Sequence, residues 1–408
     1  GTGDLIDSSV AGANYGYAML WVLAVGLVTR YVVVSTLGKY QLCNGTGDET
    51  ILAGYGRIWR GLPMVLGLAG MFLGFVYASY LARGAGTALY HLFGEVGGPT
   101  WGVFLWSCVA VAAAVWLCAR RHQYTGLERV AQVAVVAIVG AFLVGAAGSG
   151  VKPVELVQGL AFELPADKGP VGALVVLISV IGTVGGSASN LIYPYLMRDK
   201  GWVGPAYRRL QNYDLLLGVL AILIINVAVW VVAAETLGGR EQVLGTETDL
   251  ALMMELAVGQ VGPVLLWVAI FFVTFDNLPA YSYGFTRMFF DGLHQLAPRR
   301  AQQYVGGDGQ ADPWFRPLQI GALVVLPLVF ALPAAPDVIV LTVIGNTFAV
   351  LTTPIIVFGL LWLTNSKRLM LPGHTNRWWE NLILLASAVI GCWASYQLVQ
   401  ELAALVAT

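Results

Sequence analysis

Apolar runs of membrane-crossing length recur along the chain, separated by short polar connections. They fall at about 18–38, 61–84, 99–119, 126–148, 171–197, 214–236, 261–286, 317–334, 336–364 and 379–405. A hydrocarbon core ~30 Å thick needs about 20 helical residues, and each run approaches or exceeds that length. Ahead of the first run, Gly1 to Tyr17 reads as a helix too short to span, the second half of a span whose first half precedes it. That gives eleven spans, the first incomplete. The stretch from Gly238 to Gly259 mixes polar and apolar residues and reads as an external interfacial segment. Residues 1–408 thus read as a single transmembrane domain of an all-α polytopic membrane protein.

Composition supports this. Of 408 residues, 58% are hydrophobic and 11% charged, whereas soluble chains carry about 25% charged residues. A net charge of -1 argues against a nucleic-acid partner, and the implied partner is the lipid bilayer. Cys43, Cys108, Cys118 and Cys392 lack metal-ligand spacing and read as small packed hydrophobes. The four histidines fall near helix ends or in loops, so a zinc site from them is not expected. No nucleophile–base pair or cofactor motif points to an enzyme, and no cofactor or obligatory protein partner is expected.

Basic residues orient the map. If the incomplete first span emerges outside, seventeen Lys and Arg lie on inward connections. These include Lys39, Arg57 and Arg60, then Arg120, Arg121 and Arg129, then Arg198, Lys200, Arg208 and Arg209. Four lie outward, Arg83, Lys152, Lys168 and Arg240, while Arg30 sits within a span. The asymmetry follows the positive-inside rule for a multi-pass plasma-membrane protein.

Two glycine clusters interrupt the spans: Gly1-Thr2-Gly3-Asp4, and Gly185-Gly186-Ser187-Ala188-Ser189-Asn190. Glycine costs about 1 kcal/mol relative to alanine inside a helix, and Ser, Asp and Asn compete for backbone groups. Each cluster predicts an unwound stretch at membrane depth, tolerated where it lines a cavity. They occupy the first and sixth spans, matching positions of a five-plus-five repeat, although no residue-level repeat is visible.

Asp4 is the most informative ionisable residue, because an intramembrane charge costs at least ~2.5–3.5 kcal/mol without a partner and marks an ion path. It could also cap the following half-helix. Asp7, a turn along, faces the same cavity or is a solvated first-turn acid interacting with the helix dipole. Asp276-Asn277 before Pro279 is a polar gate contact or a capped kink. Asn346 and Thr347 could supply oxygen ligands or interhelical hydrogen bonds.

These residues resemble the NRAMP divalent-metal transporters, and more closely their NRAMP-related magnesium branch. Gly1 to Asp4 through Ala11-Gly12, Tyr15-Gly16-Tyr17 and Leu20-Trp21 is similar to the family's first-span motif. Gly182-Thr183 through Tyr193 resembles its sixth-span motif, and Thr364 to Met370 its loop after the tenth span. The resemblance covers the whole chain and implies the LeuT-type fold: two inverted five-helix repeats plus an eleventh span, with helices 1 and 6 discontinuous.

The departures matter more. The family's metal-binding Asp and Asn of Asp-Pro-Gly-Asn fall at Gly1 and Asp4. Its Met-Pro-His falls at Ala188, Ser189 and Asn190 when aligned on Tyr193, the preferred register, or at Gly186, Ser187 and Ala188 when aligned on Gly182. The second histidine falls at Tyr195. The implied metal set is Asp4, Gly1, Ala188, Asn190, Ser187, Asn346 and Thr347. Without a thioether, a carboxylate with neutral oxygens suits hard cations, and magnesium usually retains several waters. Loss of histidine removes the usual proton shuttle near neutral pH.

The expected function is import of hydrated Mg2+, with Mn2+ as a further candidate, by alternating access without obligatory proton coupling. The rivals are a proton-coupled Mn2+/Fe2+ carrier relaying through Asp7 or Asp276, a carrier of an organic solute such as an amino acid, and a non-transporting metal sensor on the same scaffold.

Overall fold

A computed structural model describes residues 2–119, 136, 139–185, 187–238, 242–304 and 309–407. The chain opens with α1 (Thr2–Tyr15), α2 (Leu20–Cys43), the short α3 (Ile51–Gly56), α4 (Leu62–Leu92) and α5 (Gly98–Ala119). After α6 (Val139–Gly148) and α7 (Pro153–Gln158) comes α8 (Ala173–Val180). A π turn at Ile181–Gly185 and a 3-10 turn at Ala188–Ile192 connect α8 to α9 (Tyr193–Asp199). Then follow α10 (Arg208–Thr236), α11 (Glu247–Val258), α12 (Gly262–Leu296) and α13 (Pro298–Gln303). The chain closes with α14 (Phe315–Ile320), α15 (Val338–Ala349), α16 (Thr353–Asn365) and α17 (Trp378–Ala407).

Among the described residues, eight helical stretches are long and apolar enough to cross a membrane, and Val139–Gly148 and Phe315–Ala331 are shorter apolar helices. The apolar run at 126–148 begins outside the described residues, as do Arg120, Arg121, Arg129 and Arg240. The segment read as interfacial contains α11, whose Leu250, Met253 and Met254 are buried. Large apolar side chains cover the outer surface, among them Leu105 and Val109 on α5, Leu217 and Ile224 on α10, and Val389 on α17. Such a surface suits lipid rather than water.

Two helices extend well past their apolar runs, α4 to Leu92 and α12 to Leu296. In α12 the polar end is held by partners: Arg287 pairs with Asp199 at 2.7 Å, and Tyr195 donates to Asp291 at 2.5 Å. α4 and α12 pack closely because glycines line the contact. A Cβ on Gly67 would lie 3.0 Å from the Phe289 backbone, so small residues let these helices approach.

Connections carrying Lys39, Arg57, Arg198 and Arg208 meet at one end of the bundle. There Lys39 pairs with Glu380, Arg57 with Asp48, and Arg198 with Glu49, while Arg208 donates to the Ser35 carbonyl. At the opposite end α1 is tied down. Asn14 exchanges two hydrogen bonds with Leu244, Tyr15 donates to the Lys168 carbonyl, and Trp230 donates to the Gly16 carbonyl. Gly16, at φ 57°, makes the turn from α1.

The buried apolar side chains form two clusters, one towards each end. α2 contributes Leu20 to Leu27 to one and Val32 to Cys43 to the other, with Arg30 between them. The broken helix likewise gives Val176 to Val184 to the first and Ala188 to Met197 to the second. The polar residues of interest lie along this seam.

Candidate metal pathway

The helix break in the sixth span is present. Ser187 is extended (φ −121°, ψ 176°) between the π and 3-10 turns. Three freed backbone groups find side-chain partners: Arg30 Nη1 donates to the Thr183 carbonyl at 3.3 Å, Asn190 to the Gly185 carbonyl at 3.4 Å, and the Ala188 amide to Thr352 Oγ1 at 3.0 Å. This is the condition under which irregular backbone survives at membrane depth.

The first cluster behaves differently from the sequence expectation. Thr2, Gly3 and Asp4 are helical, the first turn of α1 rather than an unwound stretch. Here glycine serves close packing. A Cβ on Gly3 would lie 2.6 Å from Asn346 Nδ2 and 2.8 Å from Thr183 Cγ2. Gly182 has the same role from the other side, since a Cβ there would overlap the Asn346 carbonyl oxygen. Helix termination by glycine and close approach by glycine leave the same mark in a sequence. Only the neighbours distinguish them.

A cavity of about 100 Å³ opens where these elements meet. α1 contributes Gly3 and Asp4, α2 contributes Arg30, and α4 contributes Tyr77, Tyr80 and Leu81. Thr183 and Ser189 come from the broken helix, Ile222 from α10, Asn277 and Tyr281 from α12, and Asn346 from α15. Apart from the Arg30 guanidinium, its polar groups are oxygens and two amides. Among the described residues, no thioether, thiol or imidazole borders it.

Asp4 is 7% exposed, and its Oδ1 accepts from Asn226 Nδ2 at 3.3 Å. Asn226 is in turn oriented by Ser8, whose hydroxyl donates to its Oδ1 at 2.7 Å. Asp7 does not line the cavity but lies buried behind it. Its Oδ2 accepts from Thr183 Oγ1 at 2.6 Å and Asn346 Nδ2 at 2.9 Å. Tyr80 donates to Asn346 Oδ1 at 3.2 Å, so Asn346 is held from both ends of its amide. Asp7 therefore orders two cavity residues from the side away from the cavity.

The remaining sequence candidates are placed as follows. Gly1 lies outside the described residues. Ala188 is fully buried, and neither it nor Ser187 borders the cavity; Ser187 shares a 2.7 Å hydrogen bond with Ser189. Thr347 donates back to the Val343 carbonyl at 2.7 Å within α15 and does not reach the cavity. Asn190 lines a neighbouring cavity instead. α12 runs unbroken through Asp276, Asn277 and Pro279, and Asn277 donates to the Val273 carbonyl while lining the central cavity. Tyr195, at the family's second histidine position, is tied to Asp291 and does not line the central cavity.

The neighbouring cavity, about 280 Å³, extends from the central one along α2, α9 and α10 towards the basic end. Asn190, Tyr193 and Asp214 line it, with Tyr193 donating to Asp214 at 3.2 Å. Arg30, Ser189, Ile222 and Tyr281 border both cavities. Sequence reasoning noticed Arg30 within a span without assigning it a role, and it missed Asn226. A lone amide in the apolar run Leu215 to Val232 was the available signal. Tyr77, Tyr80 and Tyr281 gave none, because aromatics are ordinary core residues.

Comparison with solved structures gives the fold. The manganese transporter of Eremococcus coleocola, in complex with an aromatic bis-isothiourea substituted compound, aligns with a TM-score of 0.64 at 16% identity, covering 97% of this chain and 82% of that one. MhsT in complex with L-phenylalanine aligns at 0.54 and 15% identity, covering 98% and 97%. The fold is thus the LeuT type, as the resemblance to the family implied. Comparison with the curated proteins finds no match. The family model described as natural resistance-associated macrophage protein-like matches residues 1–401, essentially the whole chain. With that match added to a broken sixth helix and a carboxylate-bearing cavity beside it, this chain belongs to the Nramp family.

Proposed function

We propose that the chain imports Mg2+, with Mn2+ as a further cargo, by alternating access and without obligatory proton coupling. The carrying observation is the donor set of the central cavity: among the described residues, one carboxylate, Asp4, stands with hydroxyl and amide oxygens and with no sulfur or imidazole. Such a set favours hard cations. Family membership and the manganese transporter of similar fold support a divalent metal as cargo. Among the described residues no three His, Cys, Asp or Glu side chains converge as a metal cage, which suits an ion that keeps much of its water.

Volume refines the picture. The central cavity, about 100 Å³, is smaller than the neighbouring one of about 280 Å³. It is also smaller than the ~300 Å³ or more of ordinary small-molecule pockets, which disfavours an organic solute. The ion either exchanges some waters for Asp4, Asn346 and Thr183 oxygens or keeps them as the cavity widens towards the 280 Å³ vestibule. We place the basic end in the cytoplasm, so that the vestibule leads inward from the central cavity. An inside-negative potential drives a divalent ion at about 4.6 kcal/mol per 100 mV.

Flux into proteoliposomes tests the reading. Mg2+ should enter and compete with Mn2+, Asp4→Ala should cut uptake at least tenfold, and an imposed pH gradient should not be needed. Normal Mg2+ uptake by Asp4→Ala, or strict co-movement of protons, defeats it. Failure of Mg2+ to compete with Mn2+ favours the proton-coupled Mn2+/Fe2+ carrier.

A further inference from the structure

Arg30 has no role in the reading above, yet its position demands one. It sits mid-way along a helix of membrane-crossing length, between the two apolar clusters. A charge there is costly and marks a pathway by default. Its guanidinium forms no ion pair with a carboxylate among the described residues, and its hydrogen bond to the Thr183 carbonyl is long at 3.3 Å. It borders both the cavity that holds Asp4 and the vestibule beyond. The other shared walls, Ser189, Ile222 and Tyr281, are uncharged. Among the described walls shared by the two cavities, Arg30 is the charged one, so a cation moving from Asp4 to the vestibule passes beside it.

We propose that Arg30 is a specificity-determining residue of the cation path, a tethered positive charge that holds the Asp4 site weak for divalent ions and so permits their release into the vestibule. The inference rests on the proposed metal transport at Asp4. A divalent ion feels the positive charge twice as strongly as a monovalent one. Asp4 alone, in a cavity of low dielectric, would hold such an ion tightly, and a site that must also let go has to be weak enough to leave. Arg30 supplies that opposition from a point bordering both spaces. It disfavours an ion stripped to the carboxylate and favours one that keeps waters between itself and the guanidinium.

The charge and the hydrogen bond can be separated by substitution. Arg30→Gln keeps an N–H donor for the Thr183 carbonyl and removes the charge; Arg30→Lys keeps the charge. Proteoliposome uptake of Mg2+ is measured for the wild type and both variants. Arg30→Gln should lower KM about tenfold and lower kcat as release slows, while Arg30→Lys stays near the wild type in KM. A merely structural role would raise KM and lower kcat together. An unchanged or raised KM in Arg30→Gln, or the same behaviour in Arg30→Lys, overturns the inference. If Arg30→Gln does not fold, Arg30→His makes the test within one protein. Its KM should fall between about pH 6 and 8 as the imidazole loses its charge, relative to the wild type over the same range, and a parallel profile overturns the inference. Wild-type protein that takes up no divalent ion refutes the proposed cargo as well. Wild-type uptake with an unmoved KM in Arg30→Gln refutes this inference alone.

Discussion

Replacing Gly3 by alanine adds one methyl group where α1, α15 and the broken helix converge. The new Cβ would lie 2.6 Å from Asn346 Nδ2 and 2.8 Å from Thr183 Cγ2, about 0.7 to 0.9 Å inside ordinary contact of ~3.5 Å. Side-chain ends often yield cheaply, but both of these are held by Asp7, at 2.9 Å and 2.6 Å. A retreat of about 0.8 Å takes the Asn346–Asp7 hydrogen bond past the ~3.5 Å where it ceases to count. The alternative is for α1 to move outward and carry Asp4 with it. Either route costs about 1–3 kcal/mol, as a lost buried hydrogen bond or as overpacking. Misplacement approaching 1 Å can lower a rate by up to about 100-fold, so divalent uptake should fall at least tenfold. Thermal unfolding in detergent and proteoliposome flux are measured beside Gly140→Ala, where nothing lies within 4 Å of the added Cβ and the change should be neutral or favourable by up to ~1 kcal/mol. Wild-type melting and uptake in Gly3→Ala would refute the claim that this glycine serves close approach.

Two further perturbations test the ends of the bundle. Lys39 and Glu380 pair at 2.6 Å with both side chains 7% exposed, so Lys39→Met leaves an unpaired buried carboxylate and should cost about 3–5 kcal/mol. The Lys39→Met/Glu380→Met double variant should unfold at a higher temperature than the single, and a lower one would contradict the buried-charge account. At the opposite end, burial and then the nearby Glu247 raise the Asp337 carboxyl to about 6 from 3.8. The folded value lies above the unfolded one, so the group's favourable contribution is complete below the unfolded value. It is lost as pH rises through about 6. Asp337→Asn can still accept from the Ile339 amide at the start of α15 and should flatten that part of the melting-temperature profile between about pH 4 and 8. An unchanged profile would place the pH dependence elsewhere.

The break in the sixth span was legible because Gly185 to Asn190 combine poor helix formers with side chains that compete for the backbone. The family was legible because motifs in three spans and loops kept their order. Of the residues singled out in the sequence, Asp4 and Asn346 border the cavity, Thr347 bonds within its own helix, and Ala188 and Ser187 do not line the cavity. Adjacent helical residues point about 100° apart, so a motif read as a string cannot say which members share a cavity. Nor could it say that Asp7 orders Asn346 and Thr183 from behind, because those three residues are brought together from distant parts of the chain.

What the sequence determined alone is what composition and local chemistry control: a membrane-embedded helical chain, the place where its sixth span breaks, and a carboxylate, Asp4, beside a glycine cluster. These follow from burying apolar runs and from backbone preferences, which need no knowledge of neighbours. The tertiary structure decided which polar groups meet. It set Asn226 on Asp4, stretched the α1 helix through Gly3, and turned Arg30 from a stray charge in a span into a wall shared by two cavities. Those are distances between residues far apart in sequence, set by how helices pack, and no local pattern encodes them.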